Sequence, residues 1–361
     1  MENHLEQFDP DYAVPPGETL REVMDERGMA QQELADRTSL ARKTINEILR
    51  AKAPITPETA AKLAYVFPIA ADFWINLEAN YQQKKALLER RRAMAEAAGW
   101  HKKFPYAEMA RRNLVQTTSD VVEKIDNLCR FFEVSSPDAF EAVVLRPIQA
   151  RFKQSPKVAH KPFVIATWLQ TARLEARAVK TADYNSSVLA ERLCELRVLS
   201  AQNEAPQQQV QEALAKAGVV VVFVREFAGA AVSGAAFWEN GQPVIALTRC
   251  GKRLGKFWFT LFHEAMHILH HGKSGTFVDM DQNGWDKLRE ESDANRRASQ
   301  LLIPRKYDKQ LAGLATIEEV DEFAAILGVH RDIVVHRVEG LQKDYKKWAA
   351  YRTRLAWGDE H

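Results

Sequence analysis

Cysteine is scarce: the 361-residue chain has three, at positions 129, 194 and 250. That spacing excludes a disulfide scaffold and any Cys-x-x-Cys metal knuckle, and it suits a reducing cytoplasm, which is the expected location. Long apolar runs are also missing. The longest uncharged stretch, 227–238, falls far short of the ~18 apolar residues of a spanning helix, so no membrane partner is expected. The first segment, MENHLEQFDPDY, is acidic and polar and does not read as a signal peptide. Nor is one sign of charge in excess. Fifty Lys+Arg face 48 Asp+Glu, a formal net charge of +2. Any nucleic-acid binding therefore has to come from a locally basic surface. Repeats and low-complexity tracts are absent. What remains, 46% hydrophobic and 27% charged, is ordinary globular composition, and the length suggests two domains or slightly more.

Residues 15–80 read as an all-helical unit. Pro15-Pro16-Gly17 opens a helix that carries Leu20, Val23 and Met24 at helical spacing and stops at Gly28. A short helix is expected over 31–38, with Leu34 and Ala35 on one face, and a third over 41–50, with Ile45, Ile48 and Leu49 inward. Thr56 is placed to cap a helix that starts at Pro57 and ends before Pro68. A last aromatic-rich helix is expected over 70–81. The stretch 84–112 then carries nine Lys/Arg against three Glu and reads as a basic connector. Residues 114–216 read as mostly helical, punctuated by Pro137, Pro147, Pro156 and Pro162. Strands are expected at 219–224, 232–238 and 243–248, the last two joined as a hairpin at Asn240-Gly241. Long helices over 255–271 and 288–302 and two short ones within 316–341 complete the chain.

The segment from Gln31 to Asn46 has a helix-turn-helix layout. Ala35 is small where two helices must cross, Leu40 faces inward from the turn, and Ile45 anchors the second helix. Arg42, Lys43, Thr44 and Asn46 are left at its exposed N-terminal end, the part that enters a major groove. Arg can read guanine, Asn adenine, and the Thr methyl can meet thymine. Gln31 and Gln32 open the preceding helix and join the candidate DNA-contact set. Residues 37–52 hold five basic residues and one acid, so positive charge is concentrated where phosphates would lie.

His263-Glu264-Ala265-Met266-His267 is an HExxH motif. The two histidines, at i and i+4, leave one helix face and can bind a single Zn²⁺. Glu264, offset by about 100°, is the candidate general base, able to take a proton from a water held there. The apolar run 257–262 buries the helix. A third ligand is sought in the downstream cluster Glu290-Glu291-Ser292-Asp293-Ala294-Asn295, which opens the next long helix. Glu291 is favoured, with Glu290 and Asp293 as alternatives. Asn295, at i+4 from Glu291, could hold a ligand histidine from outside. His270 and His271 read as an ordinary helix-end pair rather than further ligands. Tyr307 and His336 are candidates for stabilising an oxyanion only by lying in the same domain.

These segments carry two resemblances. FTLFHEAMHILHH followed by ESDANRRASQLLIP resembles the ImmA/IrrE family of zinc metallo-endopeptidases, over roughly 200–345. Asp293 stands where that family commonly has Glu, and Arg297 where it has Phe. Nearly seventy residues, from PPGETLREVMDERG to FWINLEANYQQ, closely resemble HigA-type antitoxins of the Xre helix-turn-helix class. The implied fold is mainly α with a small β-sheet. It comprises an all-helical helix-turn-helix domain at 1–82, a helical connector at 83–200, an α+β zincin-like metallopeptidase domain at 201–345 and a basic C-terminal tail at 346–361. The implied activity is a gluzincin-like zinc endopeptidase that cuts a partner repressor or antitoxin. Its DNA-binding domain would act as a homodimer on a palindromic double-stranded operator, with a toxin as a further partner. The alternative from another class is a non-catalytic antitoxin or autorepressor whose peptidase-like domain senses a signal or binds a toxin.

Overall fold

A computed structural model describes residues 11–152, 161–202, 205–249, 253–271, 277–280 and 289–355. The N-terminal segment 1–10, Pro156 and Cys250 lie outside the described residues. Contacts divide the chain into two compact units, Met1–Ala98 with Asp120–Asp126, and Gly99–Ser119 with Asn127–His361.

The first unit is helical: α1 (Pro16–Glu26), α2 (Gln31–Thr38), α3 (Arg42–Leu49), α4 (Pro57–Val66) and α5 (Ala71–Glu96). Leu20, Leu34, Ile45, Leu63 and Trp74 meet in its core, each at most 1% exposed. Burying large apolar side chains of this kind stabilises by ~1.5–3 kcal/mol apiece. The turn between α2 and α3 passes through Ser39 in the left-handed region (φ 54°), which reverses the chain within three residues. Gly17 is required where α1 crosses α3: a Cβ there would stand 2.2 Å from the Ile48 carbonyl oxygen. Arg21 then donates to the Leu49 carbonyl at 2.8 Å and closes the C-terminal end of α3. Thr56 caps α4 as expected, accepting from the Thr59 amide at 3.2 Å. Helix α5 does not stop near residue 81. Its continuation, KKALLERRRAMAE, consists of strong helix formers without Gly or Pro, so the change to basic composition leaves the backbone helical.

The second unit contains the remaining helices. Those before the sheet are α6 (Tyr106–Arg111), α7 (Val121–Phe131, whose first half groups with the other unit), α8 (Pro137–Phe140), α9 (Arg146–Phe152), α10 (Pro162–Arg177), α11 (Ser186–Leu199) and α12 (Gln207–Ala215). Pro147 was expected to break the chain, yet it lies inside α9. A π-helical turn over Glu141–Leu145 directly precedes it, and the wider turn accommodates a ring that cannot donate an amide hydrogen bond. The phenyl rings of Phe104, Phe132, Phe140 and Phe163 pack edge to face, tilted or stacked at the start of α10.

Four strands follow, in the order β1-β3-β2-β4: β1 (Val220–Val224), β2 (Val232–Glu239), β3 (Gln242–Thr248) and β4 (Phe277–Met280). Strand β3 runs parallel to β1 (Val220↔Val244) and antiparallel to β2 (Glu239↔Gln242). The hairpin turns at Asn240 (φ 49°) and Gly241 (φ 83°), two consecutive left-handed residues, as an Asn-Gly turn requires. Helix α13 (Leu254–His270) packs on β2, and α14 (Arg289–Leu302) and α17 (Arg331–Gln342) cover it. Between them come α15 (Asp308–Gly313) and α16 (Ile317–Leu327). Because the sheet covers one side of α13 and helices the other, most of the helix is buried, polar residues included. The described part of the basic 346–361 segment is tied into the domain. Trp348 is buried, Arg352 donates to Glu339 at 2.6 Å, and the Thr353 amide donates to Asp332 at 2.7 Å.

Candidate metal centre and nucleic-acid interface

His263 and His267 project from successive turns of α13, each 1% exposed, and Glu291 reaches them from the first turn of α14, 5% exposed. His263 Nε2 lies 3.2 Å from Glu291 Oε2, His267 Nε2 lies 3.4 Å from the same oxygen, and the two Nε2 atoms are 3.1 Å apart. These edges match one face of a tetrahedron: metal–ligand bonds of ~2.0–2.1 Å set donors ~3.3 Å apart. Two nitrogens and one carboxylate oxygen, buried and convergent, are a donor set that can hold a metal ion.

The electrostatics agree. Burial of Glu291 opposes its charge, but hydrogen bonds from His263 and His267 outweigh it and hold the carboxyl at about 2. Burial lowers the pKa of His267, which favours the neutral, metal-binding imidazole. Asp293 is turned elsewhere. Its carboxylate accepts from Arg297 Nε at 2.6 Å and from Arg296, and those bonds hold it at about 2. Glu290 is exposed. Arg297, which departs from the ImmA/IrrE pattern, is thus anchored on Asp293, the other departing residue.

Asn295 sits half-buried one turn beyond Glu291. The outer nitrogen of His267 meets His271 instead, Nδ1 to Nδ1 at 2.9 Å, and His271 Nε2 lies 3.9 Å from Asp293. His271 stands at the C-terminal cap of α13, the helix-end place its sequence position implies. Its spacing, i+4 from His267 and i+8 from His263, puts it on the same stripe and was the signal available. Glu264 is fully buried on α13 against strand β2. A Cβ on Gly234 would stand 2.9 Å from its Oε1 and 2.7 Å from Thr260 Cγ2, so glycine in β2 makes room for this carboxyl. Tyr307 packs its ring against Phe323 in the core, and His336 faces Phe259, one helical turn before His263.

In the first unit, Gln32, Arg42 and Lys43 are exposed, and Gln31, Thr44 and Asn46 are half-buried. Arg42–Asn46 form the first turn of α3, with Ile45 turned into the core beside them. Gln32 bonds Asp36 at 2.9 Å, and Lys43 lies 3.8 Å from Glu47, a loose surface pair that leaves the ammonium free to reorient.

Comparison with known proteins matches residues 20–74 to the helix-turn-helix family and residues 215–339 to a peptidase M78 family described as the IrrE N-terminal-like domain. An uncharacterized HTH-type transcriptional regulator of Escherichia coli, YddM, is 35% identical over 63 residues, 18% of this chain and 67% of that protein. The chain belongs to the Xre-type helix-turn-helix family and carries an IrrE/ImmA-like domain. Virulence-associated protein I of Dichelobacter nodosus is 36% identical over 75 residues, 20% of this chain and 69% of that protein. Among solved structures, Pseudomonas aeruginosa PA4674 in complex with its operator DNA is 32% identical, with a TM-score of 0.20, covering 21% of this regulator and 82% of that chain. The P. aeruginosa antitoxin HigA with the higBA promoter is 29% identical, with a TM-score of 0.22, covering 22% and 89%. No helix among the described residues of this regulator is long and apolar enough to cross a membrane.

Proposed function

We propose that this regulator binds a double-stranded operator through α2 and α3 and cleaves a protein partner, a repressor or antitoxin, at a zinc site formed by His263, His267 and Glu291. The observation that carries the reading is the convergence of those three buried donors at tetrahedral edge lengths. Zinc, when bound, supplies Lewis acidity toward a peptide carbonyl and makes an attacking water more acidic. Glu264 is the general base: it takes the proton of that water and returns it to the leaving amine. Its burial between helix and strand keeps the carboxyl in one place. Gly234, with no side chain, leaves that place open. His271 orients His267 from outside, as partners of metal-bound imidazoles do.

On the DNA side, Arg42, Lys43, Thr44 and Asn46 meet base edges and phosphates, and Gln31 and Gln32 lie at the groove wall. The domain acts as a homodimer on a palindromic site in the cytoplasm, and a toxin is a further partner. The test is metal analysis of full-length protein purified without chelator. About one zinc per chain is expected, with loss of tight binding in His263→Ala and His267→Ala. Protein that carries no zinc and takes up none on addition overturns the peptidase reading. It would leave a DNA-binding antitoxin whose second domain senses a signal or holds a toxin.

A further inference from the structure

Beyond α17 the chain forms a strap, 348–355, that closes a three-way joint at the start of the helix bearing the two histidines. The ends of the strap are set in the main core by Trp348, 1% exposed, and Leu355, 4% exposed. Between them, Arg352 donates to the buried Glu339 at 2.6 Å and to the Tyr345 carbonyl at 2.7 Å. Thr353 reaches in three directions. Its amide donates to Asp332 Oδ2 at 2.7 Å, its hydroxyl donates to Asp332 Oδ1 at 2.9 Å, and its carbonyl accepts from the Leu254 amide at 3.2 Å. Arg354 then pairs with Arg253 as an antiparallel β-bridge. The third side of the joint is backbone on backbone. A Cβ on Gly255 would stand 2.2 Å from the Asp332 carbonyl oxygen, so α13 and α17 touch there with no side chain between them.

Each side of the joint has a physical reason. A helix leaves its first four amides without internal partners, and among the described residues no side chain caps α13. The Thr353 carbonyl takes up the first of those amides. Asp332 is 3% exposed, and a buried carboxylate needs donors to offset its lost hydration. Thr353 supplies two, one to each oxygen. Gly255 is separated from His263 and His267 by multiples of four residues and so lies on the stripe that carries them. Contact at Gly255 therefore sets how far that stripe stands from α17, and the strap opposes sliding of the helix along its axis. Such sliding matters for the donors. Glu291 comes from α14, a separate element, and its oxygen stands 3.2 and 3.4 Å from the two imidazole nitrogens. Metal–ligand distances tolerate about 0.2 Å, so a slip of α13 by about half an ångström against α14 would open the triangle. Leu254 lies two to three turns before His263, ~13 Å along the helix, so the joint acts on the donors only through the helix itself.

We propose that Asp332 and Thr353 are positioning residues of the metal centre: they fasten the C-terminal strap to the first turn of α13 and so fix the register in which His263 and His267 meet Glu291. The inference rests on the metal site of the proposed function. It extends the framework of that site past residue 339, where the IrrE/ImmA-like match ends, into a segment whose composition reads only as a basic tail.

The experiment compares the full-length chain with Asp332→Asn, Thr353→Val and Thr353→Ser, under conditions where circular dichroism shows each to be folded. Two quantities are read. One is zinc affinity, by competition with a chromophoric chelator. The other is the visible d–d spectrum of the Co²⁺-loaded protein, which responds to coordination geometry. Asp332→Asn replaces one of the two acceptor oxygens by an NH₂ donor. It should weaken zinc binding about tenfold, the low end of what outlying partners of metal ligands contribute, and alter the cobalt bands. Thr353→Val keeps the amide bond and loses the hydroxyl, so a smaller loss of about threefold is expected, in the same direction. Thr353→Ser keeps both donors and should have wild-type affinity and spectrum. A strap that only adds stability would lower the urea midpoint of the variants and leave the folded chains with unchanged metal binding. Wild-type spectra and affinities within about twofold in Asp332→Asn and Thr353→Val therefore overturn the proposal. So does a Thr353→Ser protein no better than Thr353→Val, and these two variants carry the test if Asp332→Asn folds poorly. A wild-type chain that takes up neither zinc nor cobalt removes the metal site itself, and the role of the joint with it.

Discussion

Glu291→Gln and Asp293→Asn set two neighbouring carboxylates of α14 against each other. Glu291 is 5% exposed, its Oε2 is 3.2 Å from one imidazole nitrogen and 3.4 Å from another, and its carboxyl stays ionised down to about 2. The imidazoles that hold it there are its partners in the donor set, so the expected loss is set by the number of ligands. Structural zinc sites with four ligands are worth ~10–16 kcal/mol, so one ligand accounts for ~3 kcal/mol. A loss of that size is about 100-fold in zinc affinity for Glu291→Gln. Asp293 bonds Arg296 and Arg297 on the surface, so Asp293→Asn should change zinc affinity by no more than about threefold. Competition against a chromophoric chelator at pH 7.5 reads both numbers, with circular dichroism as the check on folding. An Asp293→Asn loss as large as that of Glu291→Gln would refute the choice of ligand, because it would mean that the wrong face of α14 meets α13.

Gly234→Ala should displace the Glu264 carboxyl, since the new Cβ would stand 2.9 Å from Oε1. Peptidase rate falls ~10–100-fold with zinc content unchanged, and loss of zinc instead would show that Gly234 supports the fold, not the base. Arg42→Ala should weaken binding to the operator by ~1–3 kcal/mol and relax its sequence preference, whereas Lys43→Ala should weaken all sequences alike and flatten the salt dependence. Titrations on specific and scrambled duplexes at two salt concentrations distinguish them. His336 is neutral in the folded chain down to about 4 and ordinary near 6.5 when unfolded. The unfolded state therefore binds more protons between those values, and stability falls as pH drops through that window, by up to ~3 kcal/mol. Urea midpoints measured from pH 7.5 to 4.5 should show a smaller slope in His336→Phe than in the wild type, and equal slopes would remove His336 from the account.

Much of this architecture was legible in residue patterns because the patterns are local. The i, i+4 spacing of His263 and His267, Thr56 before Pro57, and Asn240-Gly241 between β-branched runs each determine their own geometry. What escaped depends on partners distant in sequence. Strand β4 has four residues and exists through its pairing with β2, so its own composition announces little. The basic run after Tyr81 looked like a connector by charge, but helix propensity ignores the sign of charge and α5 runs on to Glu96. Choosing Glu291 among three acids required the buried face of α14. Ala294 and Ala298, three and seven residues on, lie on that face, and both are fully buried. The contact of His271 with His267 needed the same argument carried one turn further along α13.

The most direct test of the central claim compares wild type with Glu264→Gln beside the regulated promoter and the candidate repressor. The Gln side chain keeps the shape of Glu and spares the three donors, but it cannot take a proton, and loss of a general base typically costs ~10²–10⁴-fold in rate. Intact repressor is quantified by immunoblot under inducing conditions, and zinc content and operator occupancy are measured on the same proteins. The account predicts that wild type depletes the repressor while Glu264→Gln leaves it whole, with zinc and operator binding equal in both. Equal depletion by the two proteins, or none by either under every condition that relieves repression, would contradict it.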